Sequence, residues 1–479
     1  MYLPKNFNGV PFQPLPIVVP DLHDDLLDNN FPLYTADYSP ITTQFLLDMR
    51  TFIHDPTTME IYRCNPKNFT RDRCFTFPRL AVAILKEHAR PAQTRINHLF
   101  QNGGFGDSLR CPTASAFYQA RSKLQPAFFQ AWASRAVQFF YTYFPQESLV
   151  DTWNDHFLWA IDCSTFVIPD TLETRKHFSI KSNQYPGKEA VLAQASIVYD
   201  VLNEIPVHTY FGKIQAGKNV LINEHARYLN QDVIAIYDRG YADYDVIAFH
   251  MANGSNFVIR FPLTSTYKVV PEFVKSSATD EIVTLHVPKG KKSLMMKRGW
   301  PVQVQVRLVK IVLETGDIEV LMTSLLDQER FPEIEFQWLY SKRWGVETAF
   351  LRFKHQLEVE CFSSGKVFNI EQDFHAAVIF HVIESILDKA QNHAMQSKNR
   401  GRTLRHEYKV NKAGAYTLLS DHLAGLFLLD KEAFVSHLVA FQQDIHLYKS
   451  SVRPGRHKAR PKMNDHRRLK YHLYQKKRR

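Results

Sequence analysis

FPEIEFQWLYSKRWGVETAFLRFKHQLEVECFSS, residues 331–364, has the apolar spacing of an amphipathic helix, which we predict to run from about Glu333 to Glu360. Four apolar residues form one stripe: Val346, Phe350, Phe353 and Leu357. A neighbouring arc of about 60° carries a carboxylate, two cations and a phenol: Glu347, Arg343, Lys354 and Tyr340. A mixed-charge helix rim is the ordinary interpretation of this arc, and one wall of a catalytic site is the alternative.

Length and composition indicate a large globular protein. The 479 residues correspond to about three domains, and 45% apolar residues can form a sizeable core. The chain has no apolar run of the roughly 18 residues that a membrane span needs, and its first residues do not resemble a signal peptide. Five cysteines without a C-x-x-C pair favour reduced thiols, so we expect a cytoplasmic protein without a zinc finger.

The positive charge is concentrated at one end of the chain. Residues 453–479 contain 12 Lys and Arg against one acid, which leaves 59 − 12 = 47 bases and 48 − 1 = 47 acids elsewhere. A basic tail of this kind is either a solvated extension or an arm that binds phosphate groups of nucleic acid.

The first third of the chain is predicted to be helical. Residues 1–40 read as an extended lead-in, and residues 41–150 as a helical DNA-binding domain with a helix-turn-helix-like unit. The candidate helices are Thr42–Phe52, Phe77–Ala89, Thr94–Gln101, Thr113–Leu124 and Pro126–Tyr143. Thr113–Leu124 is the candidate recognition helix, and four of its polar side chains are expected to be exposed: Tyr118, Gln119, Arg121 and Lys123. A small bundle that only packs on the core is the alternative.

From residue 151 the apolar period changes to that of strands. FLWAIDCSTFVI (157–168), AVLAQASIVYDVL (190–202) and PVHTYFGK (206–213) predict three successive strands, the last two joined by a hairpin turn at Asn203-Glu204. VIAIY (233–237) and NFVIRF (256–261) are further strands that alternate with helices. This order predicts an α/β fold whose mixed sheet has a parallel portion and flanking helices.

The remaining segments complete the predicted domain order. A core of residues 151–261 is followed by a β-rich insertion at 262–330, which we expect to leave the sheet and return through LMTSLLD (321–327). Its β-like stretches are Tyr267–Val274, Glu281–Val287, Pro301–Leu313 and Ile318–Ser324. The core resumes at 331–396, and a helical region (397–452) and the basic tail (453–479) follow.

Two further acids join Glu347 as candidates for chemistry. Asp162 interrupts an apolar strand, where Asp is disfavoured, and Asp238 ends another strand, where ligand sites of open α/β sheets lie. A buried structural Asp and a turn cap are the alternatives for these two positions. Three carboxylates are the hard oxygen ligands that Mg²⁺ prefers, and two ions held by them would promote phosphodiester cleavage.

The cations beside Glu347 suit a phosphate substrate. Arg343 can donate two hydrogen bonds to a phosphate, Lys354 adds a compact charge, and Tyr340 donates one hydrogen bond. A glycosidase needs two carboxylates but gives no role to these cations or to the basic tail. The sequence contains no phosphate-binding loop motif, no H-E-x-x-H and no G-x-S-x-G.

The combination Tyr340-x2-Arg343-x3-Glu347-x6-Lys354 resembles the signature of the DDE insertion-sequence transposases that carry a β insertion before the catalytic Glu. The surrounding segments are similar to the family as well: AIDCSTFVIPDTLETRKHF, YDRGYADYDVIAFHMANGSNFVIRF and TSLLD…LYSKRWGVETAFLRFK. The resemblance extends over roughly residues 75–475.

The resemblance implies a ribonuclease H-like core with Asp162, Asp238 and Glu347 as both catalytic residues and metal ligands. It implies two Mg²⁺ ions, with Mn²⁺ as a substitute, and a homodimer in the bacterial cytoplasm that binds the double-stranded DNA of transposon ends and target. The enzyme would cleave the ends and transfer their 3′-OH groups to target DNA. Tyr340, Arg343 and Lys354 would contact DNA, and so would Arg121 and Lys123 of the recognition helix.

Two positions refine the resemblance. In relatives a Trp after the Arg holds a flipped base, and Trp344 occupies that position here. Some relatives have a Lys one turn after the Glu, where this chain has Leu351. A metal-dependent nuclease without strand transfer and an inactive or domesticated DNA-binding derivative are the alternatives.

Overall fold

The computed structural model describes residues 40–71, 73–85, 91–102, 111–182, 189–399, 406–445 and 447–452. The predicted lead-in before Pro40 and the basic tail lie outside the described residues. The helices are α1 (Pro40–His54), α2 (Pro56–Tyr62), α3 (Phe77–Leu85), α4 (Ala92–Asn102), α5 (Ala114–Arg121), α6 (Ala127–Tyr143), α7 (Leu172–His177), α8 (Gly217–Val220), α9 (Tyr244–Asn253), α10 (Val269–Lys275), α11 (Lys292–Arg298), α12 (Phe336–Ser341), α13 (Trp344–His355), α14 (Val367–Lys398), α15 (Lys412–Leu428) and α16 (Lys431–Ile445). The strands are β1 (Phe157–Val167), β2 (Ser179–Ser182), β3 (Glu189–Asp200), β4 (Ile205–Gly212), β5 (Val233–Tyr237), β6 (Asn256–Phe261), β7 (Asp280–His286), β8 (Gln303–Val312), β9 (Ile318–Thr323), β10 (Tyr408–Val410) and β11 (Lys449–Ser451).

The described residues form two compact units. Residues 150–166 and 192–352 make up the first, which we call the sheet unit. The other described residues make up the second, which we call the helical unit. The sequence had assigned α14 to the core that contains the sheet, whereas its contacts group it with the helices.

The sheet unit is built on a mixed sheet, as the sequence predicted. Its strands follow the order β3-β1-β5-β6-β9-β8-β7, and β4 also pairs with β3. β1 pairs with β5 and β5 with β6 in parallel, and the other recorded pairings in this unit are antiparallel. The predicted hairpin is confirmed, because β3 and β4 are antiparallel and Glu204 in their turn has the left-handed φ of 58°.

The β insertion extends the sheet, so the prediction that it leaves the sheet was wrong. β9 pairs antiparallel with β6, β8 with β9, and β7 with β8. An unpaired edge of β6 would expose backbone donors and acceptors, and β9 satisfies them. Residues Tyr267–Val274 were also predicted as β-like, but α10 covers most of them. Pro271 suits the first turn of a helix, where no N–H is needed, and does not suit a paired strand.

The single long helix predicted for Glu333–Glu360 is interrupted. α12 ends at Ser341 and α13 begins at Trp344, and across the break N–H groups bond three residues back instead of four, as in Arg343 N to Tyr340 O at 3.1 Å. Gly345 follows the break, and a Cβ at this position would lie 3.2 Å from Val201 Cγ1. All these residue types are compatible with a helix, so the apolar period did not reveal the break.

One face of the sheet forms a hydrophobic cluster together with α12, which confirms that this part of the stretch packs on the sheet. Side chains from five strands contribute to the cluster: Leu158, Ile234, Ile236, Val258, Val309, Ile311 and Leu321. α12 adds Phe336, Leu339 and Tyr340 to the same cluster. On the opposite face, Tyr237 of β5 hydrogen bonds through its hydroxyl to His250 Nε2 of α9 at 2.8 Å. Helices therefore cover both faces of the parallel portion.

The predicted recognition helix, α5, is attached to the rest of the helical unit through the buried side chain of Arg121. This side chain is 0% exposed, and its guanidinium donates to Asp373 Oδ1 at 2.8 Å, to Gln372 Oε1 at 2.9 Å and to Asn369 O at 2.9 Å. The prediction of Arg121 as an exposed DNA contact was wrong, because α5 uses this cation to attach itself to α14. Tyr118 likewise donates its hydroxyl proton to Ser363 O at 3.0 Å.

None of the described helices combines enough length with enough apolar character to cross a bilayer.

We expect Arg121→Ala to destabilise the helical unit by about 3–5 kcal/mol, because Asp373 would lose its buried cation. Urea unfolding followed by circular dichroism would measure the change. Lys123→Ala is the matched control, since Lys123 is only half-buried and should change stability by less than about 0.5 kcal/mol. Equal effects of the two substitutions would contradict the structural role of Arg121.

Candidate active site

The parallel pairing of β1 and β5 determines where two of the acids lie. Ala160 is opposite Ile236 in this pairing, which is its last recorded pair, and each acid follows two residues later: Asp162 on β1 and Asp238 directly after β5. Side chains alternate along a strand, so Asp162 shares the face of Leu158, and Asp238 continues the face of Ile236. Leu158 and Ile236 contact the core under α12, and the two carboxylates therefore lie on the α12 side of the sheet.

Asp162 has an unfavourable environment for its charge. The pKa of Asp162 is raised to about 6, mainly by burial and to a smaller extent by the neighbouring carboxylates of Asp238 and Glu347. A hydrogen bond from Cys163 N at 2.7 Å and the charge of Arg343 act in the opposite direction. The charges of both other acids of the predicted triad therefore affect the pKa of Asp162.

Asp238 ends β5 and caps the turn that follows. Its Oδ1 accepts a hydrogen bond from Gly240 N at 2.9 Å, which is the turn-cap role considered from the sequence. A Cβ at Gly240 would lie 3.0 Å from this oxygen, so the absence of a side chain leaves room for the carboxylate. The cap restrains the carboxylate, which remains half-buried.

Glu347 lies in the first turn of α13, where the positive end of the helix dipole favours a carboxylate. Its Oε1 pairs with Arg343 Nη1 at 2.8 Å, and the two side chains are 37% and 7% exposed. Arg343 is therefore the cation that balances the acids on this face of the sheet unit, since it also lowers the pKa of Asp162.

Tyr340 and Arg343 carry polar atoms that lack a partner. The Tyr340 hydroxyl and the Arg343 Nε are buried and, within the part of the chain that the structure describes, accept or donate no hydrogen bond. The Arg343 guanidinium lies 5.7 Å from the centre of the Tyr340 ring and 4.8 Å from that of the Trp344 ring. Unpaired buried donors cost free energy, and an anion bound beside them would satisfy both.

The other predicted residues have different surroundings. The Trp344 ring is 49% exposed beside Arg343, and Leu351 is 51% exposed on α13. Lys354 belongs to the part of α13 that is grouped with the helical unit, where burial lowers its pKa and Glu360 raises it. Lys123 follows α5 and is half-buried.

The chemistry of the three acids fits a cation, although they are not gathered around one position. The charges of Asp238 and Glu347 raise the pKa of Asp162, a bound cation would relieve this repulsion, and carboxylate oxygens are the donors that Mg²⁺ takes. Among the described residues, no group of three or more His, Cys, Asp or Glu side chains is arranged to hold a metal ion. The ion pair of Glu347 with Arg343 is consistent with this spread arrangement.

Sequence reasoning missed a contact directly behind the acids. Cys163 points to the face opposite Asp162, and its Sγ lies 3.3 Å from the hydroxyl of Tyr241. Tyr241 belongs to the turn Arg239–Tyr241 that Asp238 caps. An aromatic residue three positions after Asp238 was the only signal of this contact in the sequence, and aromatic residues are common in such turns.

Comparisons with known proteins match the part of the chain that contains the three acids. The family model described as Transposase DDE domain matches residues 159–383, which include all three acids. Transposase InsG for insertion sequence element IS4 of Escherichia coli (strain K12) is 24% identical over 251 residues. That alignment covers 51% of this chain and 53% of the relative, so the chain spans about half the length of the curated relative.

A solved structure with broader coverage is more distant. The cryo-EM structure of the piggyBac transposase synaptic complex with hairpin DNA is 8% identical to this chain, with a TM-score of 0.40. The comparison covers 83% of this chain and 85% of the other.

The raised pKa of Asp162 predicts that stability depends on pH. Its pKa rises from 3.8 to about 6 in the folded protein, so ionisation opposes folding, and stability is lost as the pH rises through this range. In chelator-treated protein we expect Asp162→Asn to be more stable than the wild type by up to about 3 kcal/mol at pH 8. Urea unfolding between pH 4 and pH 8 should show the difference growing with pH.

The control for this comparison is Asp232→Asn, which changes an exposed acid just before β5. It should leave the pH dependence unchanged. A constant stability difference between Asp162→Asn and wild type across the range would contradict the raised pKa.

Proposed function

We propose that the protein is a DNA transposase of an insertion sequence, which binds terminal inverted repeats, cleaves them and joins their 3′ ends to target DNA. The electrostatic coupling of Asp162 to Asp238, Glu347 and Arg343 on one face of the sheet is the observation that carries this proposal. The match of residues 159–383 to a transposase domain family supports it. We further propose that the sheet unit is a ribonuclease H-like core and that the active species is a cytoplasmic homodimer on paired ends.

Cleavage and joining are the same kind of phosphoryl transfer. In cleavage, a water oxygen bonds to phosphorus, the P–O3′ bond breaks, and the departing 3′ oxygen takes up a proton to become a 3′-OH. In joining, that 3′ oxygen loses its proton and bonds to a phosphorus of the target strand, whose own 3′ oxygen leaves. Both reactions exchange one phosphodiester bond for another bond to phosphorus without any oxidation or reduction.

The three acids would hold the divalent ions of this reaction. Asp162, Asp238 and Glu347 are the proposed ligands for two Mg²⁺ ions, with Mn²⁺ as a substitute. When bound, such ions activate water and stabilise the leaving oxygen. The half-buried carboxylates of Asp162 and Asp238 would hold such ions in a position partly shielded from solvent.

The unpaired donors beside Glu347 would bind the DNA backbone. A phosphate oxygen can accept from Arg343 Nε and from the Tyr340 hydroxyl, both of which lack a partner among the described residues. The same phosphate competes with Glu347 for the guanidinium, which frees that carboxylate for an ion. Trp344 is half-exposed and follows Arg343 in the chain, and we propose that it stacks on an extruded base. Lys354 and Lys123 remain proposed DNA contacts.

We expect Asp238→Asn to reduce Mg²⁺-dependent cleavage of DNA ends more than a hundredfold, because even groups that only support metal ligands account for about 10- to 100-fold. Binding of end DNA, measured by electrophoretic mobility shift with a chelator present, should stay close to wild type. The control is Asp232→Asn, at the other end of β5, which should cleave normally. Normal cleavage by Asp238→Asn would overturn the proposed triad.

Joining separates the transposase from the alternatives. Pre-cleaved ends with free 3′-OH groups are incubated with circular target DNA and Mg²⁺, and the joined product is detected on a gel. A transposase forms this product, whereas a nuclease only shortens the DNA. A wild-type protein that binds the ends but neither cleaves nor joins them would be an inactive derivative.

We expect Tyr340→Phe to have opposite effects on the free protein and on the DNA complex. Removing an unpaired buried hydroxyl should stabilise the free protein by about 1 kcal/mol, while losing a phosphate contact should weaken end binding about 3- to 10-fold. Tyr244→Phe is the matched control, because the Tyr244 hydroxyl donates to Pro301 O at 3.1 Å and its loss should only destabilise. Unchanged end binding by Tyr340→Phe would remove this tyrosine from the proposed interface.

A further inference from the structure

We propose that Tyr241 is a positioning residue, which holds the turn that carries Asp238 against the strand that carries Asp162. The inference rests on the proposed function of these two acids and assigns a role to a residue outside the Tyr-Arg-Glu-Lys set. Three independent features of Tyr241 support it: its link to Asp238, its link to β1 and the space reserved for its ring.

Tyr241 is joined to Asp238 through the backbone. Tyr241 N donates to Asp238 O at 3.2 Å, which closes the short 3-10 turn at the end of β5. Arg239 and Gly240, which lie between them in the chain, are exposed, so neither residue packs this turn against the rest of the sheet unit. A displacement of Tyr241 would therefore displace the carboxylate of Asp238 as well.

The side chain of Tyr241 reaches the strand that carries the other acid. Its hydroxyl lies 3.3 Å from the Sγ of Cys163, the residue after Asp162. Cys163 N in turn donates to Asp162 Oδ1 at 2.7 Å. The contact therefore runs from the turn of Asp238 to the peptide group that restrains the Asp162 carboxylate.

The surroundings keep the Tyr241 ring in one place. The residue is 4% exposed, and its ring lies 4.9 Å from that of Tyr237, centre to centre. At Gly217 an added Cβ would lie 2.8 Å from the ring and 2.9 Å from the hydroxyl oxygen, so only glycine leaves room for it. Residue 217 therefore forms one wall of a closed compartment for Tyr241.

The strand side of the contact is also fixed. The thiol of Cys163 meets the side chains of Ser196 and Gln194 on β3 as well as Tyr241. Ser196 Oγ is 2.8 Å from Nε2 of His225, which is completely buried. Cys163 is thus part of a buried polar network, and Tyr241 attaches the turn of Asp238 to it.

The experiment compares Tyr241→Phe with Tyr244→Phe in the full-length chain. Each substitution removes one hydroxyl that makes a contact inside the sheet unit, but only Tyr241 touches the segment behind the acids. Amide hydrogen exchange of residues 238–243 is measured in metal-free protein by mass spectrometry, and Mn²⁺ binding by electron paramagnetic resonance. For Tyr241→Phe we expect exchange about 3- to 10-fold faster and Mn²⁺ affinity about 3- to 10-fold weaker.

Kinetics on end DNA provide a second readout. The Mg²⁺ concentration for half-maximal cleavage should rise by the same factor in Tyr241→Phe, while the rate at saturating Mg²⁺ stays close to wild type. Tyr244→Phe should change neither the exchange of residues 238–243 nor the Mg²⁺ requirement, even where it lowers the unfolding midpoint equally.

Substitution of Cys163 tests whether the sulfur is the partner. Cys163→Ala removes the contact with Tyr241 together with those to Ser196 and Gln194, so its effects should be at least as large as those of Tyr241→Phe. The double variant should be no worse than Cys163→Ala alone, because both substitutions remove the same link. Cys163→Ser retains a hydrogen-bonding atom and should behave like the wild type. Additive effects of Tyr241→Phe and Cys163→Ala would overturn the proposed link.

The proposal and the function on which it rests fail in different ways. Wild-type exchange and wild-type Mn²⁺ affinity in Tyr241→Phe would overturn the positioning role while leaving the transposase proposal intact. Equal changes in the two tyrosine variants would also overturn it, since they would reflect general destabilisation. A wild-type protein that binds no Mn²⁺ and cleaves no DNA would overturn the proposed function, and hydrogen exchange would then still decide whether Tyr241 anchors the turn.

Discussion

The parallel pairing of β1 with β5 is the constraint on which the site depends. Its last recorded pair, Ala160 with Ile236, precedes Asp162 and Asp238 by two residues each, and the alternation of strand side chains directs Asp162 to the face that α12 covers. A shift of one residue would turn Asp162 to the other face, where Cys163 now meets Tyr241. The apolar residues before each acid, buried against the core, hold the register and therefore the acids.

Charge balance is the second constraint on this face of the sheet. The pKa of Asp162 is raised to about 6, with burial as the largest cause and the charges of Asp238 and Glu347 as smaller ones. Arg343, whose charge lowers the pKa of Asp162, pairs with Glu347. Its Nε and the neighbouring Tyr340 hydroxyl stay unsatisfied. The sheet unit thus has excess negative charge at the three carboxylates and unsatisfied hydrogen-bond donors beside them. This combination suits the binding of cations together with a phosphate group.

Much of the sheet unit followed from local pattern. β1, β3, β4, β5 and β6 were predicted within one or two residues, because runs of apolar and β-branched residues bounded by turn residues are typical of strands. Predictions from local sequence pattern failed where the structure is determined by a tertiary contact. The break between α12 and α13 has no proline, and the path of the insertion depends on which edge of the sheet offers free hydrogen-bonding groups. Arg121 looked like a surface cation because its partners are about 250 residues away in sequence.

The sequence by itself determined the kinds of residue available for chemistry and the strand or helix on which each one lies. Asp162 within an apolar strand, Asp238 after another and the cations around Glu347 could be recognised because each departs from what its local pattern requires. Only the tertiary structure decided which of them act on one another. Electrostatic coupling, burial and hydrogen bonding depend on distances between segments far apart in the chain. The ion pair of Glu347, the unpaired donors of Tyr340 and Arg343, and the contact of Tyr241 with Cys163 arise from how those segments pack.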